Sequence, residues 1–381
     1  MSTMPIQPGA TLGVLGGGQL GRMFSHAATR MGYKVAVLDP AENSPAAEVS
    51  TYQLCYAYDD EEGLKELADL CDAVSTEFEN VPAASLRFLQ QHIPVSPAPN
   101  AVEIAQSRIR EKTFFVEHNI PTNHHCLVTS AAEIDNAFAQ MSGKAVIKTT
   151  TLGYDGKGQQ VCNSANEMAA AFNSFGAVAC LVEDFVAFDA EVSVIIARDI
   201  NGHAETFPVA ENQHRNGILD LTVVPARVDN AVATKAEKIA HQVADSLNYI
   251  GVLAIEMFVV GESLLVNEIA PRPHNSGHYT LNATDHSQFD MQVRMMCGLP
   301  SLPVQLHSPV VMLNVLGDLI LHDNFSWQGL LENPHAHIHE YGKASARAGR
   351  KMAHVNFTGA DAGELIHSVT AYRAQFAEVF S

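Results

Sequence analysis

The feature that most constrains the fold is the segment 253–274, in which two strongly apolar runs flank Gly261-Glu262-Ser263. A short glycine-containing stretch between two such runs is typical of a β-hairpin, here with a three-residue loop. The loop of a hairpin determines which residues face each other across the two strands. If Val260 pairs with Leu264, Glu256 lies directly opposite Glu268 on one face of the hairpin.

The two facing glutamates point to a metal site. Neighbouring carboxylates repel each other and would destabilise the strand pair. A divalent cation removes that conflict, and Mg²⁺ commonly binds one or two carboxylates together with substrate phosphates. Alternatively, one side chain turns outward to water or to a lysine. The apolar sequence around Glu256 and Glu268 favours the metal site.

Composition and charge narrow the class of protein. A length of 381 residues predicts two or three domains. The net charge of −19 argues against nucleic acid as a partner. Apolar runs such as 251–260 end well before the roughly 18 residues of a membrane span. The N-terminus does not resemble a signal peptide, and the six cysteines form no CxxC pair, so we expect a cytoplasmic protein.

The N-terminal segment predicts a strand, a glycine turn, a helix and a second strand. A strand at 11–15 is followed by Gly16-Gly17-Gly18-Gln19-Leu20-Gly21, and the second strand ends at Asp39. The GxGxxG spacing, with an acidic residue about 20 positions later, occurs in dinucleotide-binding proteins and leaves a nicotinamide-dependent oxidoreductase open. Alternatively, the glycines only let the helix N-terminus approach some other anion.

Polar residues also follow a predicted strand at 73–76. Glu77-Phe78-Glu79-Asn80 stand where ligands bind in open α/β sheets, although a solvated loop fits equally well. Prolines 94, 97 and 99 then indicate a linker that ends a first domain of about 100 residues.

A second ligand-binding candidate is the loop 149–159, which follows a strand ending at Lys148. Its glycines and threonines offer N–H and hydroxyl groups to anionic oxygens, and Lys157 adds charge. The spacing is not that of a P-loop. The loop could cover phosphates and exclude water, or it could be only a flexible hairpin loop.

Together, the Lys148 strand with its loop, the Glu183–Val186 segment and the hairpin ending in Pro271-Arg272 resemble the ATP-grasp ligases. The resemblance implies an α/β ATP-grasp fold with an N-terminal Rossmann-like pre-ATP-grasp domain, a small α+β lid and a C-terminal β-rich domain. The expected divisions are a pre-ATP-grasp domain at 1–105, a lid with its leading helix at 106–186, a central metal-binding part at 187–305 and a C-terminal domain at 306–381.

Further motifs are similar to one group of these ligases, which acts in purine biosynthesis. The motifs lie at 16–23, 76–82, 153–159, 267–278, 341–343 and 349–351. The resemblance implies ATP-dependent carboxylation of 5-aminoimidazole ribonucleotide with bicarbonate, giving ADP and phosphate through carboxyphosphate. It also implies Mg²⁺, or alternatively Mn²⁺, and a homodimer. The nearest rival is another ATP-grasp carboxylate–amine ligase, such as a formate-dependent glycinamide ribonucleotide transformylase, and a non-catalytic nucleotide-binding regulator is a third possibility.

The resemblance also assigns site residues. It implies ATP contacts from Arg108, Lys148, Gly153, Tyr154, Asp155, Gly156, Lys157, Gly158, Gln159, Glu183, Asp184, Phe185, Val186, Glu191, His214, Asn267 and Glu268. It implies that Glu256 and Glu268 bind the metal. Substrate binding falls to Gln19, Leu20, Glu77, Asn80, Arg272, His274, Lys343, Arg350 and Lys351, with Arg272, His274, Lys351 and Tyr154 as catalytic candidates. Many ATP-grasp enzymes carry Asn where this chain has Ala270, so water could replace a third protein ligand.

Overall fold

The computed structural model describes residues 5–151, 158–376 and 379. Within these residues the strands form three sheets, one of four strands, a second of four and a third of nine. The N-terminal and lid sheets each have their own apolar core, and the large sheet has cores on both faces.

The N-terminal part is a parallel sheet with the strand order β3-β2-β1-β4. The predicted strand–turn–helix–strand unit is confirmed, because every residue of β1 is buried and the following helix places an apolar face on the sheet. Its elements are β1 (Thr11–Leu15), α1 (Gln19–Arg30), β2 (Lys34–Leu38), β3 (Tyr52–Leu54), α2 (Glu61–Leu70), β4 (Ala73–Thr76), α3 (Ala83–Gln90) and α4 (Pro99–Ala105).

The lid part is an antiparallel sheet with the order β5-β8-β6-β7, covered by two helices. A leading helix, α5 (Arg108–Glu117), joins it to the N-terminal part. Its elements are β5 (His125–Val128), α6 (Ile134–Ala139), β6 (Ala145–Thr149), β7 (Gln159–Cys162), α7 (Ala165–Ser174) and β8 (Cys180–Asp184). The predicted cover loop joins β6 to β7, and most of it, 152–157, lies outside the described residues.

The large sheet has the order β14-β13-β9-β11-β12-β15-β17-β16, with β10 beside β9. Its C-terminal strands continue the central sheet, because β12 pairs with β15. The remaining elements are β9 (Ala190–Arg198), β10 (Ala204–Thr206), β11 (Ala210–Arg215), β12 (Ile218–Val224), α8 (Asn230–Ser246), β13 (Gly251–Val260), β14 (Ser263–Ala270), α9 (Thr280–Ala283), α10 (Gln288–Met296), β15 (Val310–Leu316), α11 (Gly317–Ile320), α12 (Gln328–Leu331), β16 (Ala336–Glu340), β17 (Lys351–Thr358) and α13 (Ala362–Ala374).

The β13–β14 hairpin has a different register at its tip from the predicted one. Val260 pairs with Ser263 and not with Leu264, so the loop contains only two residues, Gly261 and Glu262. Gly261 has a φ of +56°, a conformation that two-residue hairpin loops require and that glycine adopts without strain.

A β-bulge corrects this one-residue shift farther along the hairpin. Met257 pairs with Val266, whereas Glu256 pairs with Glu268, so Asn267 is the extra residue on β14. An inserted residue reverses the alternation of the side chains beyond it. The predicted pairing of Glu256 with Glu268 is therefore confirmed, although it arises from a shorter loop and a bulge.

No helix in the described ranges is both long and apolar enough to span a membrane.

Candidate active site

The two facing glutamates differ in their surroundings. The Glu256 side chain is 15% exposed, and burial together with the neighbouring Glu268 raises its pKa to about 7. The Glu268 side chain is 41% exposed and lies 3.1 Å from the Arg108 guanidinium. A cation between the two carboxylates would offset the free-energy cost of burying the charge of Glu256 and would remove the repulsion between the two side chains.

The residues around the pair fit a cation that shares its coordination with a phosphate ligand. Among the described residues, no cluster of three or more His, Cys, Asp or Glu side chains could hold a metal ion. The adjacent Asn267 has a buried side-chain oxygen with no hydrogen-bond partner in the described part of the chain. Two carboxylates and one unsatisfied amide oxygen suit a Mg²⁺ ion that takes its other ligands from water and phosphate.

A cavity of about 290 Å³ lies between the lid and the large sheet. Nearly all described residues that the resemblance assigned to ATP line it. They are Arg108, Lys148, Gln159, Glu183, Asp184, Phe185, Val186, Glu191, His214, Asn267 and Glu268. Gly158 lies at the base of the cover loop, where its carbonyl accepts the Thr149 N–H at 2.8 Å. Gly153, Tyr154, Asp155, Gly156 and Lys157 lie outside the described residues.

Glu183 lies at the floor of this cavity between two ammonium groups. It forms ion pairs with Lys148 and, at 3.0 Å, with Lys112. Burial alone would raise the pKa of Glu183, but Lys148 and Lys112 together lower it to about 2. The carboxylate is therefore ionised at neutral pH and orients the Lys148 ammonium at the cavity wall.

Glu191 and His214 form a second charged pair in this cavity. They lie on the neighbouring strands β9 and β11, and the imidazole is hydrogen bonded to the carboxylate. Burial would lower the pKa of His214, but the hydrogen bond to Glu191 and the charge of Glu256 raise it.

A second cavity, of about 690 Å³, lies between the N-terminal part, the hairpin and the C-terminal strands. The predicted substrate-binding residues all line it, although they come from four separate segments of the chain. They are Gln19, Leu20, Glu77, Asn80, Arg272, His274, Lys343, Arg350 and Lys351. Arg347 lies beside them, so several basic residues face one cavity in a chain with a net charge of −19. An anionic substrate would be attracted there.

Glu77 explains the glycine turn at the start of α1. Its carboxylate accepts the backbone N–H groups of Gly18 and, at 3.1 Å, of Leu20. A side chain at Gly18 would collide with this carboxylate, since its Cβ would lie 2.2 Å from Glu77 Oε1. The anion at the helix N-terminus is thus the protein's own Glu77. The alternative of a dinucleotide pyrophosphate at this turn is wrong.

Arg272 and Glu79 both line the large cavity, and Arg272 Nε lies 2.5 Å from Glu79 Oε2. Burial would lower the pKa of Arg272, but Glu79 raises it, so this guanidinium remains charged. Burial would likewise raise the pKa of Glu79, and Arg272 lowers it. The pair holds the guanidinium beside the cavity, and Arg272 Nη1 donates to the Pro273 carbonyl at 3.1 Å.

His274 connects the cavity to the metal candidates. Its Nε2 lies 3.2 Å from Glu256 Oε1, and its Nδ1 accepts the Ser276 N–H at 3.3 Å. Burial and the charge of Arg272 lower the pKa of His274 well below the ordinary histidine value. The imidazole is therefore neutral, and the acceptor role of Nδ1 assigns the proton to Nε2.

Sequence reasoning missed four residues of this site as individual candidates: Glu79, Glu111, Lys112 and Arg347. Glu79 stood inside a recognised motif, and Arg347 is near the basic turn at 349–351, so both had a local signal. Glu111 and Lys112 are charged residues buried on α5. Nothing in the spacing of that helix separates them from solvated charges.

Three family models match the chain in succession. A ribonucleotide synthetase preATP-grasp domain matches residues 9–106, an ATP-grasp domain matches 113–289, and a phosphoribosylaminoimidazole carboxylase C-terminal domain matches 310–368. The predicted fold class is confirmed by these matches.

Individual proteins resemble the chain over almost its whole length. The N5-carboxyaminoimidazole ribonucleotide synthase of Bacillus subtilis is 40% identical over 373 residues, which are 97% of each chain. A crystal structure of N5-carboxyaminoimidazole synthetase from Staphylococcus aureus complexed with ADP is 36% identical with a TM-score of 0.91, over 96% of this chain and 98% of that one. The Aspergillus clavatus N5-carboxyaminoimidazole synthase, crystallised with ADP and 5-aminoimidazole ribonucleotide, is 29% identical with a TM-score of 0.87, over 97% and 98%.

Proposed function

The chain belongs to the N5-carboxyaminoimidazole ribonucleotide synthase family of ATP-grasp ligases, and we propose that it uses its two cavities for the two halves of that reaction. ATP occupies the smaller cavity, and bicarbonate and 5-aminoimidazole ribonucleotide occupy the larger one. The product is N5-carboxyaminoimidazole ribonucleotide, with ADP and phosphate, in purine biosynthesis.

The observation that carries this proposal is that the two cavities share the glutamate pair. Glu256, Glu268, Arg108, His274 and Lys351 line both. A phosphoryl group at this junction is within reach of a nucleophile in the larger cavity. Positioning the two reactants in this way supplies much of the rate in phosphoryl transfer.

On the nucleotide side, the protein contributes fixed charge. Lys148, oriented by Glu183, and Arg108, beside Glu268, would hold the phosphates. Mg²⁺ held by Glu256 and Glu268 would neutralise the negative charge of the phosphates. The pair formed by Glu191 and His214 offers a carboxylate and an imidazole to the ribose hydroxyls.

On the acceptor side, Arg272 and His274 would hold bicarbonate near the junction. Lys343, Arg350 and Lys351 would bind the phosphate of the ribonucleotide. Gln19, Leu20, Glu77 and Asn80 shape the opposite wall, with Glu77 holding α1 in place. Tyr154 stays a prediction as an acceptor-side residue.

The chemistry proceeds in two balanced steps. A bicarbonate oxygen attacks the γ-phosphorus, and the bond to the ADP oxygen breaks, giving carboxyphosphate and ADP. The exocyclic amine of the ribonucleotide then bonds to the carboxyl carbon and loses a proton, and the carbon–oxygen bond to phosphate breaks. Carboxyphosphate is short-lived in water, so the loop 149–159 would cover the junction during transfer.

The test is a comparison of substrates by phosphate release. We expect rapid release from ATP only when bicarbonate and 5-aminoimidazole ribonucleotide are both present. Formate with glycinamide ribonucleotide is the matched control, and we expect it to give only background. Release that depends on the formate pair and not on bicarbonate would contradict the proposal.

Cytoplasmic location and homodimeric assembly stay predictions made from the sequence and the family resemblance.

A further inference from the structure

A buried ammonium group connects the two halves of the nucleotide cavity. Lys112 on α5 is 2% exposed, and its Nζ is surrounded by oxygens from three separate segments. It lies 3.0 Å from Glu183 Oε1, 2.8 Å from Thr122 Oγ1 and 3.1 Å from Asn123 Oδ1. It also donates to the carbonyls of Val266 and Asn267, at 3.3 and 2.9 Å.

The two carbonyls belong to the β-bulge of β14. A bulge interrupts the ladder and leaves backbone groups without their usual partners. Lys112 satisfies the carbonyls of the bulged residue Asn267 and of Val266 before it. Thr122 also binds the bulge, because its hydroxyl donates to the Val266 carbonyl at 2.8 Å.

Neighbouring residues of the same helix contact the rest of this segment. Arg108 lies 3.1 Å from Glu268, and Glu111 accepts the Ile269 N–H at 2.8 Å. Arg108, Glu111 and Lys112 stand at positions i, i+3 and i+4 and therefore on one face of α5. Together they contact residues 266–269 of the edge strand β14. The bulge determines on which face of the hairpin Glu268 stands, since a one-residue slip would turn it to the other face.

The contact with Glu183 extends the connection to the lid. Glu183 lies on β8 and pairs with Lys148 on β6. The Lys112 ammonium is therefore bound both to the carboxylate that orients Lys148 and to the bulge that orients Glu268.

We propose that Lys112 is a positioning residue for phosphoryl transfer, which sets the placement of Lys148 relative to Glu268 by holding the lid strand and the hairpin bulge to one cation. It contacts neither nucleotide nor metal in this role. The inference rests on the proposed function for the identity of the reaction. Because Lys112 acts on both phosphate-binding partners and on no acceptor-side residue, its loss affects the nucleotide–metal side selectively.

The experiment compares Lys112→Met with the wild-type protein. Methionine keeps most of the side-chain length but offers neither charge nor N–H. We expect the Mg²⁺ concentration for half-maximal activity to rise by about tenfold or more, as for other residues that orient metal ligands, while the KM for 5-aminoimidazole ribonucleotide changes less than about twofold. Calorimetric titration with ADP and Mg²⁺ should show a matching loss of affinity.

Arg373→Met is the control for a lost, partly buried charge. Arg373, on the C-terminal helix α13, pairs with Asp220 on β12 at 2.7 Å, and neither residue lines either of the two cavities. We expect a lowered Tm in this variant with unchanged Mg²⁺ dependence. A folded Lys112→Met protein with wild-type Mg²⁺ dependence and ADP–Mg²⁺ affinity would overturn the inference.

Thr122→Val serves if Lys112→Met does not fold. It removes the hydroxyl that contacts both Lys112 and the Val266 carbonyl, with little change in shape. We expect a smaller shift of Mg²⁺ dependence in the same direction, and no shift would overturn the inference. If the wild-type protein showed no bicarbonate-dependent turnover, the proposed function would be contradicted. The titration with ADP and Mg²⁺ does not depend on turnover, so it would still test the role of Lys112.

Discussion

Individual carboxylates in this chain have different roles according to what surrounds them. Glu183 is held ionised by two lysines, and Glu77 is bound to the N-terminus of α1. Glu256 has its pKa raised to about 7 by burial and by Glu268. This raised pKa indicates a carboxylate whose negative charge is incompletely compensated, which is a property expected of a metal ligand.

Glu268→Gln tests the metal assignment at the level of one residue. The substitution keeps the shape and removes the charge, so we expect ATP turnover to fall by at least about 100-fold. We expect the circular dichroism spectrum to be unchanged, since the Glu268 side chain is 41% exposed. Phosphate release measured at saturating substrates checks the first point.

The control for this substitution is Glu262→Gln at the exposed tip of the same hairpin. It removes the same charge from the same element at a distance from both cavities, and we expect wild-type turnover. Near-normal phosphate release by Glu268→Gln would count decisively against the metal assignment.

At the scale of elements, local patterns in the sequence predicted much of the fold. The bounds of β1 and β4 agree with the predicted strands at 11–15 and 73–76, because a short apolar run between polar residues is a local signal. The bulge at Asn267 could not be predicted in this way, because the ammonium group that binds its carbonyl belongs to Lys112 on α5, 155 residues earlier in the chain. The hairpin loop was therefore predicted one residue too long.

Gly261→Ala tests the two-residue loop. Alanine at a φ of +56° is strained, so we expect the free energy of unfolding to fall by about 1 kcal/mol. Denaturation in urea measures it. Gly329→Ala in α12 is the control, because a Cβ meets no atom within 4 Å at either glycine and Gly329 is helical. We expect that variant to be unchanged or slightly more stable, and equal losses in both would contradict the loop assignment.

At the scale of the whole molecule, the chain brings together residues that the sequence keeps far apart. The large cavity combines segments near 19, 77, 272 and 350, and the C-terminal strands belong to the same sheet as the hairpin. Spacing and composition do not reveal such convergence. The resemblance to a known family identified most of the lining residues, whereas Glu111 and Lys112 became visible only through their contacts.

The histidine cluster formed by the buried His278 and His354 and the partly buried His339 makes stability depend on pH. The rings of His339 and His354 stack at 4.5 Å, and those of His278 and His354 lie 4.7 Å apart. Burial lowers the pKa of all three, to about 4 for His339. Below about pH 6.5 the unfolded chain binds protons that the folded protein does not.

We therefore expect the free energy of unfolding to fall as the pH decreases from about 6.5 to 5, by up to about 1.4 kcal/mol per pH unit for each histidine of the cluster. Urea denaturation at several pH values measures the slope. His354→Gln should reduce the slope of unfolding free energy against pH by the contribution of one histidine, whatever the effect of the substitution on stability at pH 7.5. The same change at the exposed His335 should leave the slope unaltered, and an identical slope in all three proteins would contradict the prediction.

The most direct test of transfer between the joined cavities is the fate of bicarbonate oxygen. With ¹⁸O-labelled bicarbonate, ATP and 5-aminoimidazole ribonucleotide, attack on the γ-phosphate leaves one bicarbonate oxygen in the released phosphate. Mass spectrometry of that phosphate should show one ¹⁸O atom per turnover, and none when the label is in water instead. The contradicting result would come from unlabelled bicarbonate in ¹⁸O-labelled water. If the released phosphate then contained ¹⁸O, its new oxygen would have come from water and not from bicarbonate.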